Sequence, residues 1–562
     1  MFASTRRHAL SPPGSASTDH RFQHRLTSDT DLGPSSKFTG VRGGCTDAAD
    51  DRRRRGEPKV YTLREPIERA ERLFGNDEAT VFGDRRRTYG EFADRVRRVG
   101  GLLESLTEPG NRVALWSLNS DAYLELFFGI PASGRVIVPH NTRWAEPELV
   151  YATNDAGVRV LICDRDPGAM SDIVERVIRI DTGEYDELIN RADPVPFADD
   201  IVPSTLAGLF YTGGTTGTSK GVMLTHQNLT ANGIHTQLGQ PFVRDDRYLT
   251  MAPMFHAAGV YEAVALPMAG ATNVIVPGFD AGACLDIVPA EGITCFIAVP
   301  TMLAALNETQ AVSPRDVGSL RWISHGASPC ALEVLRTSDQ LFGCELIHLY
   351  GATETAPLAT IMRHEETMLS GDRAKSCGVA APGVTVRIVD GANNELSVGE
   401  VGEVAVKGPN VMAGYWNKPE QTAAVLDEHG WYRSGDVGHM DADGYVFLVD
   451  RAKDMIVSGG ENVYCTEVED ALYTHPGVLE ATVFGIPDKK WGELVHAVVV
   501  AREGHDVGEA ELLEHCRASI AGYKVPKSID FQTEPLPKSG PGKVLKRLLR
   551  APYWDGHDTA IN

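Results

Sequence analysis

A short segment between residues 211 and 221 concentrates glycines, hydroxyl side chains and one cation. It reads YTGGTTGTSKG and directly follows the apolar run LAGLFY, which predicts a loop that leaves a β-strand. Glycines let backbone N–H groups approach a ligand, and Thr and Ser hydroxyls donate hydrogen bonds without repelling an anion. Lys220 adds a positive charge. These residue types favour a phosphate-binding loop over a plain polar turn.

The spacing of this loop excludes a Walker A sequence. That pattern, GxxxxGK[ST], requires glycine immediately before the lysine, whereas Ser219 precedes Lys220 here and Gly221 follows it. We therefore expect a phosphate loop of another kind.

Further motifs with polar and glycine residues follow along the chain. They are HGASP at 325–329, YGATE at 350–354, GEVAVKGPNVMAGYWN at 402–417, GWYRSGD at 430–436, DRAKD at 450–454 and LPKSGPGKVLKR at 536–547. Together with the first loop they resemble, in order, the motifs of the adenylate-forming (AMP-binding) superfamily, which includes acyl-CoA synthetases, peptide-synthetase adenylation domains and firefly luciferases. The resemblance covers roughly residues 60–550.

The loop departs from the family pattern YTSGTTGxPKG at two positions. Gly213 stands where the family has serine, and Ser219 where it has proline. One phosphate-facing hydroxyl is therefore missing, and the turn before Lys220 is less rigid. We expect an altered affinity for ATP and an active protein.

The resemblance implies an ATP site with a bound magnesium ion. The residues implied to hold the β- and γ-phosphates are Thr212, Gly213, Gly214, Thr215, Thr216, Gly217 and Lys220. Glu354 corresponds to the family's Mg²⁺ ligand, a hard oxygen donor, and Thr353 is implied to contact the α-phosphate. Such charge and oriented donors are needed because a carboxylate must attack an anionic phosphate.

The same resemblance assigns residues to the nucleoside. Tyr350 is implied to stack on adenine, with Gly326 and Ala327 allowing the backbone to approach the base. Asp436 is implied to accept hydrogen bonds from both ribose hydroxyls, and Arg451 to reach the same sugar.

Two lysines near the C-terminus are implied to divide the catalytic work. Lys543 corresponds to the lysine that bridges the substrate carboxylate and the ribose 5′ oxygen during adenylation. Lys453 occupies the hinge position, where the small C-terminal domain is implied to rotate after the adenylate forms. That rotation withdraws Lys543 and brings the loop with Gly459 and Gly460 towards the pantetheine tunnel of coenzyme A.

The segments expected to line the acyl pocket are apolar. MAPMFHAAG at 251–259 carries His256 where amino-acid-activating relatives have an aspartate for the substrate ammonium, so an amino acid is disfavoured. TMLAAL from Thr301 and TAPLATI from Thr355 are also uncharged, which favours a fatty or other apolar carboxylic acid. His256 either gates or packs on the acyl chain, or is a core histidine without a catalytic role.

We expect an acyl-CoA synthetase, and two alternatives stay open. One is a fatty acyl-AMP ligase that loads an acyl carrier protein, although no obvious inserted segment occurs near 380–450. The other is a luciferase-like oxidoreductase or a non-catalytic acyl-nucleotide binder, and the intact Lys543 argues against a mere binder.

The elements around these motifs predict an α/β protein. Apolar runs such as RVALWSL from Arg112 and TCFIAVP from Thr294 alternate with helical patterns, which predicts parallel-type α/β sheets in a large N-terminal domain at 57–449. That domain ends in a β-rich subdomain after about Gly383. A small, mobile α+β C-terminal domain is expected at 450–562.

Two helix starts are predicted from local sequence. Thr88 and Glu91 have the spacing of a capping box before apolar residues at helical intervals. Thr466 and Glu469 show the same spacing in the C-terminal region, so a second capped helix is predicted there.

Composition limits the function classes. The 562 residues include 54 basic and 76 acidic side chains, a formal charge of −22, so binding to nucleic acid is not expected. Nine cysteines without a CxxC pair suit a reducing, cytoplasmic compartment, and no apolar run is typical of a membrane span. Residues 1–56, rich in Ser, Pro and Arg, predict a disordered extension, with an organellar transit peptide as the alternative.

Overall fold

The computed structural model describes residues 61–212, 219–328, 330–363, 369, 371–451, 454–458, 461–488, 491–505, 507–538 and 544–555. The extension predicted at 1–56 lies outside the described residues.

The strands up to residue 300 are β1 Glu78–Phe82, β2 Arg85–Thr88, β3 Arg112–Trp116, β4 Val136–Pro139, β5 Val158–Cys163, β6 Arg176–Arg179, β7 Leu206–Thr212, β8 Lys220–Thr225, β9 Arg247–Thr250, β10 Thr272–Ile275 and β11 Cys295–Ala298. The later strands are β12 Trp322–Gly326, β13 Glu345–Tyr350, β14 Thr360–Arg363, β15 Val379–Ala380, β16 Thr385–Val389, β17 Gly402–Lys407, β18 Gly414–Tyr415, β19 Tyr432–Met440, β20 Val446–Arg451, β21 Ile456–Ser458, β22 Glu461–Val463, β23 Val478–Asp488, β24 Gly492–Ala501 and β25 Ser528–Gln532.

The helices are α1 Arg64–Phe74, α2 Tyr89–Glu104, α3 Asp121–Ala132, α4 Glu146–Ala156, α5 Glu184–Arg191, α6 His226–Gly239, α7 Ala265–Ala269, α8 Ala281–Glu291, α9 Pro300–Val312, α10 Leu332–Phe342, α11 Pro419–Ala423, α12 Cys465–Tyr473, α13 Glu509–Ser519 and α14 Lys546–Trp554. Among the described helices, none combines the length and apolar composition that crossing a bilayer requires.

Two large sheets form the first part of the protein. One has seven strands in the order β18-β8-β7-β4-β3-β5-β6, and the other has nine in the order β15-β14-β13-β12-β11-β9-β10-β1-β2. The inner strands of both are parallel, which confirms the predicted α/β class, while β8, β18, β14, β15 and β2 pair antiparallel at the edges. One apolar core includes residues of both sheets.

Helix α6 is buried on most of its circumference, because it packs within this core. Its Asn228 amide donates to the carbonyls of Pro409 and Val411, at 2.8 and 2.7 Å. The helix therefore ties the 402–417 segment to the body of the protein.

The capping box predicted for α2 is confirmed. The Thr88 side chain accepts a hydrogen bond from the Glu91 N–H, and the Glu91 carboxylate accepts one from the Thr88 N–H. The apolar side chains Phe92, Val96 and Val99 follow on its buried face.

The β-rich region predicted after Gly383 is a four-stranded antiparallel sheet in the order β16-β17-β19-β20. Strand β20 continues to Arg451, whose backbone pairs with that of Asp436 on β19. The domain boundary at 449/450 and the hinge at Lys453 stay predictions, and Lys453 lies outside the described residues.

A separate small sheet, β22-β21-β24-β23 with β25 beside β24, forms the C-terminal domain with its own apolar core. The capping predicted for its first helix is wrong. Helix α12 begins at Cys465 and has no side-chain cap; Thr466 lies within it, and its hydroxyl donates to the Val449 carbonyl instead. The Glu469 carboxylate accepts the Val483 N–H at 2.8 Å, so a tertiary contact replaces the local one.

Candidate nucleotide-binding site

The two ends of the phosphate-loop motif lie on neighbouring antiparallel strands. Strand β7 ends at Thr212 and β8 begins at Lys220, and these two residues are directly paired. The strand predicted before the motif is confirmed. The predicted phosphate-binding residues Gly213, Gly214, Thr215, Thr216 and Gly217 lie outside the described residues.

Gly221 has a packing reason to follow the lysine. A Cβ at this position would lie 3.1 Å from Cζ of the Tyr211 ring, which crosses from the paired strand. The Tyr211 hydroxyl donates to the Asp155 carboxylate at 2.6 Å, which fixes that ring in place. The backbone at the lysine end of the hairpin is therefore closely packed.

Lys220 contacts an aromatic ring from the 402–417 segment. Its Nζ lies 4.7 Å from the centroid of the Tyr415 ring, a distance typical of a cation–π contact. Strand β18, which carries Tyr415, pairs antiparallel with β8. The hairpin and the distant segment thus meet in one sheet.

Glu354 approaches the same tyrosine from another direction. It lies in a short 3₁₀ turn, Thr353–Thr355, just after β13, and its Oε1 accepts a hydrogen bond of 2.8 Å from the Tyr415 hydroxyl. The Met412 N–H donates to the Glu354 carbonyl at 2.8 Å, and the Asn410 amide donates to the Thr355 carbonyl at 2.7 Å. The 402–417 segment therefore fixes both the backbone and the side chain of this turn.

Glu354 is suited to a magnesium ion. Its carboxylate is a hard oxygen donor, and among the described residues its second oxygen, Oε2, has no hydrogen-bond partner. The predicted metal-binding residue and the predicted phosphate-binding lysine thus both contact one tyrosine, the first at its hydroxyl and the second at its ring face. No role for Tyr415 follows from its sequence motif, since a pattern such as GYWN does not reveal which distant side chains it contacts.

Tyr350 and Asp436 are brought together as well. The Tyr350 hydroxyl, at the end of β13, donates to Asp436 Oδ2 at 2.8 Å. Burial, and then the Asp436 charge, raises the pKa of Tyr350 well above its usual value, so the hydroxyl is a donor at neutral pH. Asp436 faces the backbone of Arg451, whose side chain lies outside the described residues.

Tyr432 joins these two pairs. Its pKa is raised by burial and by the charges or hydroxyls of Glu354, Tyr415, Tyr350 and Asp436. We call these five residues, Tyr350, Glu354, Tyr415, Tyr432 and Asp436, the tyrosine–carboxylate cluster. Three strands, β13, β18 and β19, supply most of it, so side chains from three distant motifs converge.

Gly326 ends strand β12 beside β13, and Ala327 follows it. A Cβ at Gly326 would lie 2.1 Å from the Leu349 carbonyl oxygen, so the neighbouring strand alone requires glycine there. Ala327 is exposed and has a left-handed backbone, with φ of 68°. Their contact with adenine stays a prediction.

His256 lies outside the cluster, next to Phe255, with the two ring centroids 4.5 Å apart. Burial lowers the pKa of His256 to about 4, so the imidazole is neutral at physiological pH. Its Nε2 is buried and has no hydrogen-bond partner among the described residues. These contacts leave both interpretations of His256 open. The predicted residues Lys453, Gly459, Gly460 and Lys543 lie outside the described residues.

Two protein-family models match this chain. The model of a family described as "AMP-binding enzyme" matches residues 67–416, and that of the "AMP-binding enzyme C-terminal domain" matches residues 467–543. All members of the tyrosine–carboxylate cluster except Tyr432 and Asp436 lie within the first match.

Individual relatives match most of the chain. A feruloyl-CoA synthase from an Amycolatopsis species is 40% identical over 491 residues, covering 86% of this chain and 97% of that protein. The fatty acid–[acyl-carrier-protein] ligase ScoC of Streptomyces coeruleorubidus is 34% identical, covering 84% and 93%. Among solved structures, o-succinylbenzoate coenzyme A synthetase (MenE) from Bacillus subtilis, in complex with ATP and a magnesium ion, has a TM-score of 0.78 at 29% identity and covers 86% of this chain and 98% of that chain.

Proposed function

Because this chain belongs to the AMP-binding enzyme family and is an ATP-dependent, AMP-forming acid–CoA ligase, we propose that it acts on an apolar carboxylic acid, in the first place an aromatic one. It uses ATP, Mg²⁺ and coenzyme A. The acid is converted first to an acyl-adenylate with release of pyrophosphate, and then to the thioester with release of AMP.

The roles proposed for the cluster follow from its chemistry. Asp436 accepts hydrogen bonds from the ribose hydroxyls, and the ring of Tyr350 stacks on adenine. Lys220 contacts phosphate oxygens, and Glu354 binds the metal ion. When bound, Mg²⁺ neutralises phosphate charge and so favours the approach of the carboxylate. The observation that carries the site is that Lys220 and Glu354 both contact Tyr415, while Tyr350 donates a hydrogen bond to Asp436.

The neutral state of His256 supports an apolar acid. With its pKa lowered to about 4, His256 is uncharged and offers no positive charge to the second carboxylate of a dicarboxylic acid. The residues that follow it, Ala257, Ala258 and Gly259, are uncharged as well. An aromatic acid is placed before a fatty acid because identity to the feruloyl-CoA synthase, 40%, exceeds that to ScoC, 34%. A fatty acid is the second candidate, and a carrier protein as acceptor is the alternative that ScoC suggests.

A substrate panel tests this proposal. We expect ferulate and cinnamate to give values of kcat/KM for pyrophosphate release at least about tenfold above octanoate and palmitate, because an acyl pocket discriminates shape by roughly 1–3 kcal/mol. Amino acids should be inactive. Thioester should form with coenzyme A and not with a phosphopantetheinylated carrier protein. Faster turnover of fatty acids supports the second candidate, and thioester on the carrier alone contradicts the proposed acceptor.

A further inference from the structure

We propose that Tyr415 is a positioning residue for the metal–nucleotide complex, a proposal that rests on the proposed function of Glu354 and Lys220. One side chain holds both groups. The hydroxyl donates to Glu354 Oε1 at 2.8 Å, and the ring face lies 4.7 Å from Lys220 Nζ. A carboxylate for the metal and a cation for the phosphates are thus kept at a fixed separation.

The backbone of Tyr415 is held on both sides, as a positioning role requires. Its own N–H donates to the Thr422 hydroxyl at 2.9 Å. The Ala413 and Trp416 N–H groups donate to the carbonyls of Met223 and Gly221 on β8, at 3.0 and 2.8 Å. The backbone at Tyr415 therefore cannot shift without breaking contacts to the strand that begins at Lys220.

The direction of the hydrogen bond fits the same role. The Tyr415 hydroxyl is the donor, and the Glu354 carboxylate is the acceptor. The donated bond engages Oε1, which directs the other oxygen, Oε2, towards the ligand. The ring face is electron-rich and attracts the ammonium of Lys220.

A purely structural role predicts a different result from a positioning role. If Tyr415 only packed in the core, loss of its hydroxyl would change stability and leave the Mg²⁺ dependence of ATP binding unchanged. If it orients Glu354, loss of the hydroxyl must reduce the part of ATP affinity that depends on Mg²⁺. The informative quantity is therefore the ratio of the ATP dissociation constant in EDTA to that in Mg²⁺.

Calorimetric titration of ATP into the full chain, with Mg²⁺ or with EDTA, measures this ratio. We expect Tyr415→Phe to lower it roughly tenfold, because a hydrogen bond to a charged group is lost. ATP binding in EDTA should change less than about twofold, because the ring that contacts Lys220 remains. Tyr415→Leu should weaken binding in EDTA as well, since that ring is removed.

Tyr211→Phe is the matched control. It also removes a hydroxyl hydrogen-bonded to a carboxylate, that of Asp155 at 2.6 Å, close to the same hairpin, but without contact to Glu354. Its ratio should equal that of the wild type. Thermal midpoints of both variants show whether the comparison is between equally folded proteins.

Coupling to Glu354 supplies a second test. In a Glu354→Gln background, Tyr415→Phe should cause no further loss of the ratio, since both changes act through the same carboxylate. An unchanged ratio in Tyr415→Phe, an equal fall in Tyr211→Phe, or full additivity with Glu354→Gln overturns the proposal. A wild-type protein whose ATP affinity is the same in Mg²⁺ and EDTA contradicts instead the metal role of Glu354 in the proposed function.

Discussion

Replacement of Lys543 by alanine is expected to slow acyl-adenylate formation by about a hundred- to a thousandfold. This is the scale of loss when one preorganised group that stabilises developing charge is removed from an active site. Lys543 is placed in this role by its motif, and the carboxylate attack on phosphorus is the step that requires it. Thioester formation from presynthesised acyl-adenylate should proceed at close to the wild-type rate, because the predicted domain rotation would withdraw the lysine before this step.

The two half-reactions must be measured separately for this variant. Pyrophosphate release reports the first, and conversion of added acyl-adenylate with coenzyme A reports the second. Lys538→Ala is a suitable control from the same motif, since Lys538 forms an ion pair with Glu480. Equal losses in both half-reactions of Lys543→Ala would refute the proposal that Lys543 acts in adenylation and not in thioester formation.

Replacement of Asp436 by alanine is expected to weaken ATP binding about ten- to a hundredfold. The carboxylate accepts hydrogen bonds from the ribose in the proposed complex, and a hydrogen bond to a charged group contributes about 1.5–3 kcal/mol. Equilibrium binding of ATP and of its 2′,3′-dideoxy analogue should be compared. The variant should bind both equally, whereas the wild type should prefer the nucleotide with hydroxyls.

A second variant separates this effect from the contact with Tyr350. Tyr350→Phe removes the hydroxyl that lies 2.8 Å from Asp436 but leaves the carboxylate and the ring in place. It should keep the preference for ATP over the dideoxy analogue. If Asp436→Ala stays folded and retains that preference, the ribose role is wrong.

Local sequence was enough to predict elements whose cause is local. The capping box of Thr88 and Glu91 and the buried strands of the α/β sheets are examples, because neighbouring residues and apolar periodicity determine them. Thr466 shows the limit of such an argument. Its hydroxyl contacts the Val449 carbonyl, 17 residues away, so a tertiary partner displaces the expected cap.

The candidate site shows the same contrast between features with a local cause and features that depend on tertiary contacts. Family motifs point to Glu354, Lys220, Tyr350 and Asp436 individually, but not to the contacts that join them. Tyr415 lies on a strand distant in sequence from Lys220 and Glu354, and the pairing of that strand with β8 brings it into contact with both. Tyr432 lies on the same strand as Asp436. Gly326 shows a further limit of prediction from the motif. The motif suggests a glycine that makes room for adenine, but the Leu349 carbonyl of the neighbouring strand is enough to require glycine at this position.

A crystal structure of the protein with ATP and Mg²⁺ would locate the nucleotide relative to the tyrosine–carboxylate cluster. We expect ribose hydroxyls within about 2.6–3.2 Å of the Asp436 carboxylate, and Mg²⁺ about 2.1 Å from a Glu354 oxygen. We also expect the adenine to lie against the ring of Tyr350. A nucleotide bound elsewhere, or a metal ion coordinated without Glu354, would contradict the proposed nucleotide site.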